Sequence, residues 1–254
     1  MSGHVEFPEF PESPDVDDLV ASGQVQAVAG APLSRNRITW AAIEFIDEHG
    51  LSGLTMRRLG DVLDVEAMSL YRYMPDKESL LDAVVEMTIA EMSLDAAGPE
   101  VHTDGWQHFL RQVADSVRRE TLRHPKVFPL VASRPLEAPW LRPPLRSLAW
   151  VEAFLATLLS EGFSDASAIA SYRAFSSFLI GHLLLEASTL GADAGPLDIV
   201  TEATAKGGLR ARYPTVRRLR NLLVEDHAAV EFQESLEALL VRISRFRGEG
   251  VDRR

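Results

Sequence analysis

Cysteine is absent from the 254 residues. That excludes a disulfide framework, thiolate metal sites and a cysteine nucleophile. No run of 18 apolar residues occurs, so no membrane span is expected. The N-terminus lacks the basic start and apolar stretch of a signal peptide, so a cytoplasmic location is expected. A phosphate-binding glycine loop and a compact metal motif are also missing, which argues against an enzyme and against a resident metal or cofactor. Positive charge is scarce: 26 Lys and Arg stand against 37 Asp and Glu, a formal net charge of -11. Such a balance opposes nucleic-acid binding unless the basic groups are gathered locally. What remains is a globular composition, 46% apolar and 25% charged, long enough for a substantial core.

The negative charge is unevenly placed. Residues 1–33 hold Glu6, Glu9, Glu12, Asp15, Asp17 and Asp18, with no Lys or Arg, and are interrupted by Pro8, Pro11, Pro14 and Pro32. A stretch of this kind can bury little and is expected to be a disordered acidic extension. Residues 34–80 carry six basic and eight acidic side chains, a net of -2. A nucleic-acid surface must therefore be built by geometry, with Arg35, Arg37, Arg57, Arg58, Arg72 and Lys77 as its positive groups.

The periodicity predicts an all-α chain with no strand and no internal repeat. A first helix spans about 34–48, with Ile38, Ala41, Ala42, Phe45 and Ile46 on one face and Ser34 as its cap. A second begins after Thr55 and runs to Leu63, burying Met56, Leu59, Val62 and Leu63. A third covers about 66–73. Asp76 can cap a fourth, 77–94. Further helices are expected over 103–123, 145–160, 165–189 and 228–245. The proline-bearing 127–144 leaves room for one short helix, and 191–227 is unassigned. The organisation is then a disordered extension (1–33), a three-helix head (34–80), a larger helical body (81–245) and a flexible tail (246–254).

Two short helices joined by a tight turn, 55–63 and 66–73, make a helix-turn-helix candidate. An exposed short helix can enter a major groove, and Met68, Ser69, Tyr71 and Tyr73 are the informative groups on the second one. The stretch from Ile38 to Leu81, more than 40 residues, carries Ala42 to Phe45, Gly50-Leu51, Leu54-Thr55-Met56-Arg57-Arg58-Leu59, Leu63, Val65, Leu70-Tyr71-Arg72-Tyr73 and Lys77-Glu78-Ser79-Leu80-Leu81. In this pattern the chain resembles the DNA-binding domain of the tetracycline-repressor (TetR) family. The resemblance implies that Thr55, Tyr73 and Lys77 lie near backbone phosphates. It also implies that Met68, Ser69, Leu70 and Tyr71 lie on or near the reading surface. Arg35 and Arg57 complete the expected DNA-binding set. Asp64 stands where the family usually has glycine, and Glu66 where a small polar cap is common.

The region from His124 through Ala132-Ser133-Arg134-Pro135 to Glu161-Gly162-Phe163 is similar to the C-terminal domain of the same family. This implies a homodimer on double-stranded DNA, with 165–189 and 228–245 facing their partners. Ala174, Ser177, Gly181, Leu184, Leu236 and Leu240 are the expected interface. A pocket between helices is expected to take a small-molecule effector. Trp106, Phe109, Phe128, Trp140, Phe154, Phe175, Phe178 and His182 are candidate lining. His182 and Glu186, four apart, either orient a polar ligand or form a local pair. The function expected is a ligand-responsive regulator, a repressor released from a palindromic operator. The alternative is a helical interaction protein that no longer binds an operator.

Overall fold

The computed structural model describes residues 32–94, 105–134, 148–192 and 213–249. Residues 1–31 of the expected extension, the end of the chain beyond Glu249 and Trp140 lie outside them, while Leu33, at the end of that extension, packs against the head core. Among the described residues all elements are helical: α1 Arg35–His49, α2 Met56–Leu63, α3 Ala67–Leu70, α4 Lys77–Leu94, α5 Gly105–Arg123, α6 Phe128–Ser133, α7 Leu148–Ser160, α8 Asp165–Thr189, α9 Pro214–Val224 and α10 Ala228–Glu249.

Local signals set the ends of the head helices. The Ser34 hydroxyl accepts from Arg37 N at 3.2 Å, and Gly50 at φ 78 receives the end of α1. Thr55 caps α2 by accepting from Arg58 N at 3.2 Å. Asp76 Oδ1 accepts from Ser79 N at 2.7 Å, which starts α4 and holds the carboxyl below its ordinary range. Asp64 takes the left-handed conformation, φ 54 and ψ 45, so aspartate does serve in the turn. The glycine that this motif cannot replace is Gly60, inside α2. A Cβ there would stand 2.8 Å from the Val65 carbonyl oxygen, where the turn folds back on the helix.

Three expectations change. The third helix is shorter than 66–73: α3 is a single turn, closed by Tyr73 N and Met74 N both bonding Leu70 O. Pro75 restricts the residue before it, so the helix cannot continue. Val62 is 54% exposed and does not belong to the buried side of α2. The last helix runs to Glu249, four residues past its expected end, and α9 occupies part of the unassigned stretch.

Two cores result. The head core gathers Ile38, Phe45, Ile46, Leu59, Leu70 and Met74 with Leu80, Leu81, Val84 and Val85 of α4. It also takes in Val127, at the start of α6, and Leu130 of α6, so the head is not sealed off at residue 80. The body core is aromatic and lies between α5, α7, α8 and α10. Among the described residues, α8 is long and apolar enough by length and composition to cross a membrane. It packs against α5, α6, α7 and α10.

Candidate nucleic-acid interface and effector core

The α2–α3 pair presents one outward face. Met68 is 74% exposed and Tyr71 42%, with Ser69 and Arg72 exposed beside them. Leu70 is different. It is fully buried in the head core, so its work is to anchor α3 and it is removed from the reading surface. Tyr73 is half-buried against the same core. Arg35 and Arg57 are exposed, the first at the start of α1 and the second in the first turn of α2. Thr55 is exposed as well, with its hydroxyl engaged in the cap.

Two basic groups hold the motif together. Lys77 Nζ donates to Leu54 O at 2.7 Å and so ties the start of α4 to the start of α2. An ammonium has three donors, so this bond leaves it able to meet a phosphate. Arg58 donates to Gly53 O at 2.9 Å and lies 5.1 Å from the centre of the Phe45 ring. Asp61, Asp64 and Glu66 are exposed around the turn. Any duplex approaching α3 therefore meets a mixed field rather than a purely positive one.

The body brings together most of the aromatic residues singled out above. Trp106, Phe109, Phe128, Phe154 and Phe175 are buried in one cluster, and Phe154 packs on Phe175, Tyr172 and Trp150 at 5.5–5.7 Å between ring centres. Burial pushes the Tyr172 hydroxyl up from its ordinary pKa. A second nest has a polar edge. Phe178 and His182 of α8 both pack on Phe232 of α10, at 5.5 and 5.2 Å. Arg118 of α5 lies over the same Phe232 ring at 5.3 Å and forks onto Glu186, with contacts of 3.1 and 2.5 Å. Glu186 thus pairs with Arg118 and not with His182. Sequence reasoning missed Arg118 because 68 residues separate the partners and nothing in either segment marks the contact. Among the described residues no three His, Asp or Glu side chains form a metal-binding group.

The expected interface residues divide. Ser177 and Gly181 are exposed on α8, with nothing within 4 Å of a Cβ built on Gly181; Leu185, 67% exposed, continues the row. Ala174 and Leu184 are half-buried. Leu236 and Leu240 are buried in the chain's own body core, because α10 turns that stripe toward α8. The apolar groups that α10 leaves outside are Val230 and Val241. All of α9 is exposed, including Val216, Leu219, Leu222 and Leu223.

Comparison with known proteins agrees with this architecture. The family model "Bacterial regulatory proteins, tetR family" matches residues 38–84, and "Tetracyclin repressor-like, C-terminal domain" matches residues 98–243. An HTH-type transcriptional regulator of Saccharopolyspora erythraea is 32% identical over 155 residues, 61% of this chain and 61% of its own length. The class D tetracycline repressor protein of Escherichia coli is 34% identical over 160 residues, 61% of this chain and 66% of its own. The chain therefore spans under two thirds of the length of these two relatives. A crystal structure of a possible TetR family transcriptional regulator from Streptomyces coelicolor A3(2) superposes with a TM-score of 0.65 at 27% identity, covering 84% of this chain and 99% of that one. With a helix-turn-helix match at one end and a C-terminal-domain match over more than half its length, the chain belongs to the tetracycline-repressor (TetR) family.

Proposed function

We propose that this chain is a ligand-responsive transcriptional regulator, a repressor that binds a palindromic operator as a homodimer and leaves it when a small molecule occupies the body. The observation that carries the reading is the division of labour in α3. Leu70 is locked in the core while Met68, Ser69, Tyr71 and Arg72 face out. One turn of helix reads few bases, so two heads related by a two-fold axis are needed, in major grooves about 34–36 Å apart. Ser177, Gly181 and Leu185 of α8, with Val230 and Val241 of α10, supply the surface for that pairing. Phosphate contacts come from Arg35, Thr55, Arg57, Tyr73 and Lys77.

The effector is a planar, multi-ring compound with a polar edge. The aromatic nest of Trp106, Phe109, Phe154 and Phe175 suits the rings, and His182 beside the Arg118–Glu186 pair suits the edge. Similarity to a class D tetracycline repressor supports this class of molecule. Switching requires the effector to favour one head arrangement over the other, since equal affinity for both would shift nothing. The test is selection of bound duplexes from a random pool. A two-fold symmetric consensus is expected, and enrichment of no sequence at low salt would overturn the proposal.

A further inference from the structure

α9 stands uncovered. Every residue from Pro214 to Val224 is exposed, and the rest of the chain buries none of them. Val216, Leu219 and Leu223, at three- and four-residue spacing, share one face, and Leu222 widens it. An 11-residue helix is marginal in water without tertiary packing, so an open apolar face on it calls for a cover. Arg220 borders that face, Arg217 and Arg218 lie beyond its two edges, and no acid occurs between Pro214 and Val224. The acids that follow are already engaged. Glu225 pairs with His227 at 3.0 Å, and Asp226 Oδ1 accepts from Ala228 N at 3.1 Å. The three guanidinium groups therefore suit a partner that is both acidic and apolar.

We infer that α9 is the docking site of the acidic segment of its own chain, residues 5–20. That segment holds six acids between Glu6 and Asp18, no Lys or Arg, and Phe7, Phe10, Val16 and Leu19 set among them. The carboxylates meet the arginines while the apolar groups cover the open face. Reach permits the contact. Leu33 is held against the head core, and residues 19–32 span at most about 46–50 Å when extended. A compact chain of 254 residues has a radius of gyration of only about 18 Å. The head is the poorer host, because Asp61, Asp64 and Glu66 are exposed on it and repel the segment. A second copy is a poorer cover as well. Its own α9 would set arginine against arginine, and the α8 row of Ser177, Gly181 and Leu185 has no charge with which to hold them. Held on α9, the acids repel a duplex at the head less, so docking would adjust the affinity of the regulator proposed above. The docking itself does not depend on that reading.

The absence of native cysteine makes the test clean. Full-length protein carries nitroxide labels at Ser13→Cys and Asn221→Cys, the second beside Arg217 and Arg218 and away from the apolar face. It is diluted into unlabelled protein so that pairs within one chain dominate, and pulsed dipolar spectroscopy reads the distance. Short distances are expected at about 0.05 M salt and should be lost near 1 M, where the screening length is about 3 Å. Arg217→Gln, Arg218→Gln and Arg220→Gln together should lower the ratio of docked to free segment on the order of tenfold. Reversing both sides at once, with the three arginines changed to Glu and Asp15→Lys, Asp17→Lys and Asp18→Lys, should restore the short distances, which mere melting of α9 would not allow. A broad distribution in the otherwise unaltered chain, short distances that ignore salt and the Gln changes, or a reversal that restores nothing would each overturn the inference. So would short distances from Ser13→Cys to Ser69→Cys with long ones to Asn221→Cys, which place the segment on the DNA face. Short distances between Asn221→Cys labels of two copies, with a broad Ser13–Asn221 distribution, would give the helix to a second copy and overturn it too. No duplex enters the measurement, so its failure is separate from a failure of operator selection.

Discussion

Leu70 and Met68 are two residues apart on one helical turn and carry opposite burdens. Leu70→Ala removes a fully buried side chain from the head core and is expected to destabilise by about 2–5 kcal/mol, read as a lower unfolding midpoint. Met68→Ala should leave the midpoint unchanged, because the side chain is mostly in water. Its effect should appear in the bases recovered by selection, since an apolar side chain in the groove favours thymine methyl groups. Gly60→Ala is the sharper test of the turn. Its Cβ meets backbone, the Val65 carbonyl, which cannot swing away. A loss of about 1–3 kcal/mol is expected, with melting as the readout. Asp76 gives a pH signature. Its pKa is lowered chiefly by the Ser79 N–H, so its stabilisation is present above the ordinary carboxylate value and is lost as pH falls through the lowered one. Asp76→Asn keeps a capping acceptor and should flatten that acid-side loss.

At the scale of elements, most of the helices could be read in advance because their causes are local. Ser34 and Thr55 mark starts that the structure confirms with hydrogen bonds, and the 3–4 residue spacing of Ile38 to Ile46 does face the core. What escaped sequence reading depends on distant partners. α3 looked longer because Tyr71 and Tyr73 resemble the next turn of a helix, yet Pro75 and the bonds to Leu70 O end it. Val62 fits the apolar spacing of α2, but no element covers it. Leu236 and Leu240 carry a stripe that could face a partner or the chain itself, and only the packing of α10 on α8 decides. The Arg118–Glu186 fork, joining α5 to α8, has no local signature at all. Arg118→Ala would leave Glu186 charged and buried without its partner, a loss of about 3–5 kcal/mol. The double change Arg118→Met with Glu186→Leu should recover most of it, measured by melting, because the stranded charge is gone.

For the whole molecule, the scarcity of positive charge becomes a statement about where the negative charge lies. Six of the acidic groups precede α1 without a single Lys or Arg, and the chain enters α1 at Arg35, beside the proposed DNA face. Deleting residues 2–31 should tighten duplex binding, and the gain should shrink as salt rises, because it is electrostatic. The Arg134 clamp gives the molecule mechanical continuity: its guanidinium bonds Asp82 and Glu78 of α4 at 2.7–2.9 Å from the end of α6. These bonds raise its own pKa further, so the clamp persists across the working pH range. Under the proposed switch, α4 and the Lys77–Leu54 bond are the route by which a change in the body would reach the start of α2. The most direct measurement is a chemical footprint of the full-length protein on a duplex it selects. Two protected major-groove patches, related by a two-fold axis and centred about 10–10.5 base pairs apart or a multiple of that, are expected. A single patch, or uniform protection along the backbone, would contradict a dimer that reads DNA through α3.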